Sequence, residues 1–387
     1  MSRNVVKARM ISRNADKNPN PMICFFESFN NTGGIRHRMK HPSLDLSLPY
    51  ITEGLEGIGG EIKALPEDFA VEEVPLYEAS GHGSHLYVNI TKVGHTTRDV
   101  QVRLAELFKL RPRNIGTAGL KDKNAVTTQT FSILFESGDV DSDEAMDLIQ
   151  RKLDVRVNGA KFHDNKLRAG HLIGNNFQTT ITGLRMSMDR AVERAGKIAE
   201  MIHRTGFPNY YGEQRTGRWG RNVRDGWEII MGGRRPKDRW LGKLLVAGYQ
   251  SYLCNRYLAE RVRRGLFGRV MLGDIAKKHD TGGIFWVNDP RAEQVRFDVG
   301  EISFTAPIFG YKMSKPLGKP GTLEDEIIEE SGVSLDDLKR VKLTGTRRFG
   351  RLVPRIEVAE VPRGIRLSFM LHKGGYATSL LREFMKA

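Results

Sequence analysis

The sequence predicts an α+β fold in which a core domain, written by both ends of the chain, is interrupted by an inserted domain. Three observations predict it. From about residue 61, apolar residues recur with period two in some stretches and with the helical period in others. Near residue 209 the composition turns basic and aromatic, and past residue 346 strand-then-helix writing returns. With 387 residues, an apolar share of 39% and a charged share of 28%, the chain can bury the cores of two or three domains.

Residues 1–45 are expected to be a poorly ordered basic extension. Residues 1–40 carry eight Lys or Arg against two acids, with several Asn, Pro and Gly and no sustained periodicity, and Met39 is an alternative start. The first part of the core spans 46–208. In EIKALPEDFAVEEVP (61–75), Ile62 and Ala64, then Phe69 and Val71, alternate around a turn at Pro66, as short strands do. HLYVNITKVG (85–94) alternates Leu86, Val88 and Ile90 and reads as another strand. In TTRDVQVRLAELFKL the period changes: Val100, Leu104, Leu107 and Phe108 share one helical face, with Thr96 or Thr97 as cap. A loop containing Asp122 leads into TTQTFSILF (127–135), whose β-branched and aromatic residues predict a strand. DEAMDLIQRKL (143–153) predicts a second helix. KLRAGHLIGNNFQTTITGL then reads as a Gly-interrupted loop between strand-like pieces, and a helix follows over 189–203.

The inserted domain is placed at 209–345. Residues 213–240 carry eight Lys or Arg, interleaved with Trp219, Trp227 and Trp240 and preceded by Tyr210 and Tyr211. Helical pieces over 241–266, a strand-rich stretch and an acidic helix at TLEDEIIEESG come next. Residues 346–387 return to the core, with strands and a final helix in RRFGRLVP and LSFMLHKGGYATSLLREFM.

Charge narrows the function. Sixty-one Lys and Arg against 46 Asp and Glu leave +15, with a pI near 9.8. Such an excess suits a nucleic-acid partner, because each neutralised phosphate releases counterions. An anionic membrane is the competing partner, and no basic amphipathic helix with an exposed aromatic face supports it. No apolar run approaches the roughly 18 residues of a membrane span, and no secretory signal is written at the start. Two cysteines, Cys24 and Cys254, lack metal-type spacing, which fits a reducing cytoplasm. His82 and His85 complete no ligand set and read as surface or loop residues.

The stretch GTAGLKDKNAVTTQ (116–129) sets one acid, Asp122, between Lys121 and Lys123, just after Gly119 and Leu120. By turn chemistry alone Asp122 is a solvated turn residue. A carboxylate kept ionised by neighbouring cations and aimed at a polyanion is the other reading.

Six ordered blocks decide between them. KALPEDFAVEEV (63–74), AGLKDKNAVTTQ (118–129), GHLIGNNF (170–177), FPNYYGEQRTG (207–217), FTAPIFGYKM (304–313) and GGYATSLLRE (374–383) resemble the TruD family of tRNA pseudouridine synthases. The resemblance covers about residues 61–385 and leaves 1–45 outside. It implies an α+β pseudouridine-synthase core around a mixed, largely antiparallel sheet, an inserted α/β domain characteristic of the family, and an RNA cleft between the two. It implies isomerisation of a tRNA uridine, expected at position 13 in the D arm, without metal or organic cofactor, by a cytoplasmic protein expected to be a monomer.

The family's aspartate corresponds to Asp122, as nucleophile or as general base; the residues leave both routes open. Lys63 is the expected through-space partner of that carboxylate. Phe177 matches the base-stacking position, Asn175 offers amide groups to the uracil or the loop, and Phe69 shapes the base pocket. Gly119 lets the backbone approach the ribose or take positive φ. Thr127, Thr128 and Gln129 position the loop, with Gln129 counted among the substrate-facing groups. Arg215, Arg218 and Arg221 are expected to contact RNA phosphates. Asn124, Thr130 and Thr216 depart from the family's usual residues and bear on RNA grip. A non-catalytic RNA-binding protein on the same scaffold is the alternative, which loss of Asp122 would have supported.

Overall fold

A computed structural model describes residues 43–135 and 140–386. The extension expected over 1–45 therefore lies outside the described residues except for its last three, as does Cys24.

The first half runs β1 (Phe69–Pro75), β2 (His85–Lys92), α1 (Thr97–Leu107), β3 (Ile115–Thr117), β4 (Val126–Leu134), α2 (Ser142–Lys152), β5 (Arg156–His163), β6 (Leu172–Ile181) and α3 (Met188–Thr205). Capping chemistry starts the helices. The Thr96 hydroxyl accepts from the Asp99 amide while the Asp99 carboxylate accepts from the Thr96 amide, a reciprocal box that opens α1. Asp141 caps α2 through the Asp143 and Glu144 amides. The alternation read in β2 buries Leu86, Val88 and Ile90 against Val100 and Leu104 of α1 and Ile149 of α2.

The middle of the chain forms β7 (Phe207–Pro208), α4 (Glu213–Thr216), α5 (Arg221–Ile230), α6 (Arg239–Arg263), β8 (Ile275–Lys278), β9 (Ile284–Trp286), α7 (Pro290–Asp298), β10 (Ile302–Ile308), α8 (Gly318–Glu330) and α9 (Leu335–Arg340). Then come β11 (Thr346–Phe349), β12 (Arg351–Leu352), β13 (Ile356–Val361), β14 (Gly364–His372) and α10 (Ala377–Met385).

Two sheets organise these elements. The larger has the order β13-β14-β6-β1-β4-β2-β5, with β3 added on β4. β1 and β4 run parallel and every other pair is antiparallel, so the sheet is mixed and largely antiparallel as expected. α3 and α10 cover one part of it, burying Ile198, Ile202, Leu380 and Phe384 with Phe369 and Leu371. The smaller sheet, β11-β10-β8-β9, packs on α6 through Tyr257, Leu258, Phe304 and Ala306. Two chain segments feed the larger sheet, 69–181 and 356–372, whereas β11 belongs to the smaller one. No described helix is long and apolar enough to cross a membrane.

The structure corrects three local expectations. GNNF is not a loop: β6 is unbroken from Leu172 to Ile181 because β1 and β14 pair with it on both sides. Gly174 is there for contact, since a Cβ would lie 2.2 Å from the Leu371 carbonyl oxygen. The helical pieces after residue 239 are one 25-residue helix, α6, whose glycines are tolerated because most of its surface is buried. His85 is not a surface residue but opens β2, buried beside its cross-strand partner His163.

Candidate active site

Strand register builds the site. Phe69, Val71 and Glu73 share one face of β1, opposite Thr179, Phe177 and Asn175 of β6. On β14, Phe369 lies opposite Phe177 and Leu371 opposite Asn175. One face of three adjacent strands therefore presents Phe69, Phe177, Phe369, Asn175 and Glu73 together. Phe177 is stacked on Phe369 with centroids 5.3 Å apart and meets the Phe69 ring edge-on at 6.1 Å.

The loop between β3 and β4 closes over this face. Ala118 and Ala125, both buried, anchor its ends. Gln129 pins it from beneath: its Nε2 donates to the Gly119 carbonyl at 3.2 Å and its Oε1 accepts from the Thr97 hydroxyl at 2.7 Å. The same hydroxyl accepts from the Lys121 amide at 2.8 Å. Lys92, 1% exposed at the end of β2, donates to the main-chain oxygens of Asp122 at 3.1 Å and His95 at 2.7 Å. Burial pushes the Lys92 ammonium down to about 8, partly opposed by the Asp122 charge.

With its backbone fixed, the Asp122 carboxylate faces outward, its side chain 32% exposed. One oxygen accepts from Lys63 Nζ and the other from the Asn124 amide. Burial raises its pKa, but the Lys63 hydrogen bond and charge, with the Asn124 and Lys123 amides, outweigh that and leave it below the usual aspartate value. The group is thus a partly exposed carboxylate, ionised at neutral pH.

Lys63 reaches Asp122 from a left-handed backbone conformation, φ 61°, that costs a lysine roughly 1–2 kcal/mol. Its Nζ also lies 4.4 Å from the centroid of the Phe69 ring. Asp122, Lys63, Phe69 and Phe177 form one continuous set of contacts.

Other expected roles come out differently. The flanking lysine ammonium groups do not pair with the carboxylate: Lys121 turns inward to Glu73, 2.5 Å away, both side chains nearly buried, and Lys123 contributes only its backbone amide. Gly119 does not adopt positive φ, and among the described residues a Cβ there would meet only Lys121 Nζ at 3.4 Å. Gln129 is fully buried with both ends of its amide engaged, so it positions the loop. Phe177 is 8% exposed and sits in the core cluster with Phe69 and Phe369. Asn175 is half-buried, and its Oδ1 is an enclosed acceptor with no partner among the described residues.

The structure places each of the three arginines against a different partner. The Arg215 guanidinium lies 5.7 Å from the Tyr211 ring, and Arg348 covers the same ring at 3.9 Å. Arg348 donates to the Gly374 carbonyl, just beyond the end of β14. Arg218 is exposed over Trp219, itself 73% exposed, and Arg221 opens α5 beside Asp225.

Sequence reasoning missed Lys92, Glu73 and Arg348. The first two carried a signal: each is a charged residue on the apolar phase of its strand, Lys92 in step with Leu86, Val88 and Ile90, and Glu73 with Phe69 and Val71.

Comparison with known proteins bears on the family of the whole chain. The family model for tRNA pseudouridine synthase D (TruD) matches residues 45–232 and 237–384. A tRNA pseudouridine synthase D of Thermus thermophilus is 43% identical over 340 residues, covering 87% of this chain and 92% of the relative. One from Anaeromyxobacter dehalogenans is 42% identical over 349 residues, covering 88% and 96%. A solved structure from Methanosarcina mazei, described as a putative tRNA pseudouridine synthase D, superposes with a TM-score of 0.69 at 26% identity, covering 89% of this chain and 96% of that one.

Proposed function

This chain belongs to the tRNA pseudouridine synthase D family, and from that premise we propose how its own residues carry the reaction. The protein isomerises a uridine of tRNA to pseudouridine. The bond from N1 to C1′ breaks, the base turns, C5 bonds to C1′ in its place, and C5 gives up its proton while N1 takes one, so product and substrate have the same composition. Nothing enters or leaves, so the chemistry calls for no metal-activated water and no organic cofactor.

In this reading Asp122 engages the ribose, attacking C1′ or taking a proton from C2′. The observation that carries it is the ion pair between Asp122 and Lys63, on a loop pinned from beneath by Gln129 and Lys92. A base must be ionised on entering a field of phosphates, and Lys63 keeps it so. Lys63 also orients the Phe69 ring, while Phe177 offers an edge to the flipped base and Asn175 an unpaired acceptor to its N–H groups. Arg215, Arg218 and Arg221 grip the tRNA backbone.

The target is the uridine at position 13 of the D arm, following the family resemblance. The catalytic core takes residues 46–208 and 346–387 and the inserted domain 209–345, with the RNA between them. The protein works in the cytoplasm as a monomer. A merely RNA-binding scaffold would have no use for a carboxylate held this way against Lys63.

Replacing Asp122 tests the assignment. Asp122→Asn is expected to lower turnover on the order of 10³-fold or more, as loss of a reacting group does. Its tRNA affinity should stay within about threefold, because the phosphate contacts are unchanged. Carbodiimide-marked primer extension reads the product and filter binding reads the affinity. Wild-type turnover by the variant would remove Asp122 from the chemistry.

A further inference from the structure

A cavity of about 380 Å³ opens next to the catalytic loop but outside the Asp122 site, lined by Tyr77, His163, Asn165, Lys166, Arg168 and His171. Its size falls at the lower end of the range that holds small ligands. The lining is aromatic and cationic, not aliphatic.

The rings are fixed in place. Tyr77 stacks on His163 with centroids 5.1 Å apart and donates to, or accepts from, His171 Nδ1 at 2.7 Å. His163 Nδ1 accepts from the Ser80 amide, and the Tyr87 hydroxyl donates to the Asn165 carbonyl. These contacts lock the three rings against one another, so they form one fixed wall of the cavity. Two cations stand at the same cavity. Lys166 is steadied by the Arg113 carbonyl, and the Arg168 side chain is exposed, its guanidinium without a hydrogen bond or ion pair to the described residues. The nearby acid, Asp164, is engaged by His82.

The cavity also adjoins the reaction site. The Gly170 amide donates to the Ala118 carbonyl at 2.8 Å, and Lys373 donates to the Gly170 carbonyl. Ala118 lies four residues before Asp122, no more than about 14 Å of extended chain. RNA seated at Asp122 therefore passes within reach of the cavity.

A ligand that satisfies these walls is planar on one side and anionic on the other. We infer that this cavity receives a second nucleotide of the tRNA, distinct from the isomerised uridine, with its base against the Tyr77–His163–His171 wall and its phosphate on Lys166 and Arg168. The inference rests on tRNA being the substrate.

Steady-state kinetics on a full-length tRNA transcript test it with Arg168→Gln and His171→Leu. Each is expected to raise KM about fivefold or more, the effect of one lost base stack or phosphate contact, with kcat within about twofold of wild type. The Arg168→Gln deficit relative to wild type should shrink as salt rises, and that of His171→Leu should persist, because stacking is not screened. Thermal melts verify folding, and His171→Gln replaces the leucine variant if it melts low. KM within twofold of wild type in both variants overturns the inference. So does a rise confined to one of them, since a nucleotide needs both contacts. Wild-type turnover in the same assay keeps the family reaction standing whichever way the variants fall.

Discussion

Lys92 is an ammonium enclosed under a loop with two carbonyl oxygens and no carboxylate as its hydrogen-bond partners. Burial lowers its pKa to about 8, with Asp122 and Asp99 pulling it up and Lys121 pushing it further down. The folded chain therefore releases this proton near pH 8, whereas the unfolded chain keeps it to about 10.5. Between those values the unfolded state binds more protons, so stability gains from Lys92 as pH rises. Activity should move the other way, because a neutral amine loses its grip on the Asp122 carbonyl. We expect kcat to fall above about pH 8 while the melting temperature, compared with Lys92→Met, improves over the same range. Lys92→Met should lower kcat about tenfold with KM within twofold, and should lack the alkaline fall. A kcat profile indistinguishable between the two proteins would mean that Lys92 is only packed there. At this scale the sequence was informative where a motif marked the residue: Asp122, Lys63, Phe69 and Phe177, each singled out by a motif, lie in contact in the structure. It misled where a partner had to be chosen, because neighbours in sequence diverge in space. Lys121 and Lys123 flank Asp122 in the chain, yet Lys63, 59 residues away, makes the ion pair.

At the scale of elements, Arg351 of β12 joins two helices that the chain separates by some 90 residues. It is nearly buried, and its guanidinium donates to the Thr205 and Arg204 carbonyls at the end of α3 and to the Phe297 carbonyl at the end of α7. It also lies 4.0 Å from the centroid of the Phe297 ring. Helix C-termini carry partial negative charge, so one cation serves two of them. Gly206 makes room: at φ 69° it ends α3, and a Cβ there would come within 2.6 Å of the Arg351 Nε. Arg351→Met would leave the Thr205 and Arg204 carbonyls without that donor, while the Phe297 carbonyl keeps the Gly300 amide. The substitution is expected to cost about 3 kcal/mol in urea unfolding, given ~1–3 kcal/mol for each buried polar group left unpaired. A loss under about 0.5 kcal/mol would show that water replaces the guanidinium. Helices and strands with a one-sided pattern, such as α1, α3, β2 and β4, were legible because a buried face and a cap are written locally. β6 and α6 were not, because glycines interrupt their patterns and those glycines answer to backbone from other parts of the chain.

For the whole molecule, the charge of +15 announced a polyanionic partner but gave no location for it. The fold sets Arg215 and Arg348 around Tyr211 and leaves Arg218 exposed beside Trp219, which makes these residues candidates to be tested. If Arg218 meets an RNA phosphate, it releases about one counterion on binding, and its loss should show in the salt dependence more than in the affinity at one salt concentration. Plotting log affinity for tRNA against log salt, Arg218→Gln should flatten the slope by roughly 0.7–0.9 relative to wild type. Its kcat at saturating tRNA should stay within about twofold, because the residue is remote in sequence and contact from the Asp122 loop. A neutral stacking residue behaves differently: Trp219→Ala should weaken binding about fivefold or more with the slope unchanged. Filter binding between about 50 and 200 mM salt separates the two. An unchanged slope for Arg218→Gln would take this segment out of the phosphate grip and shift the excess positive charge's role to other faces.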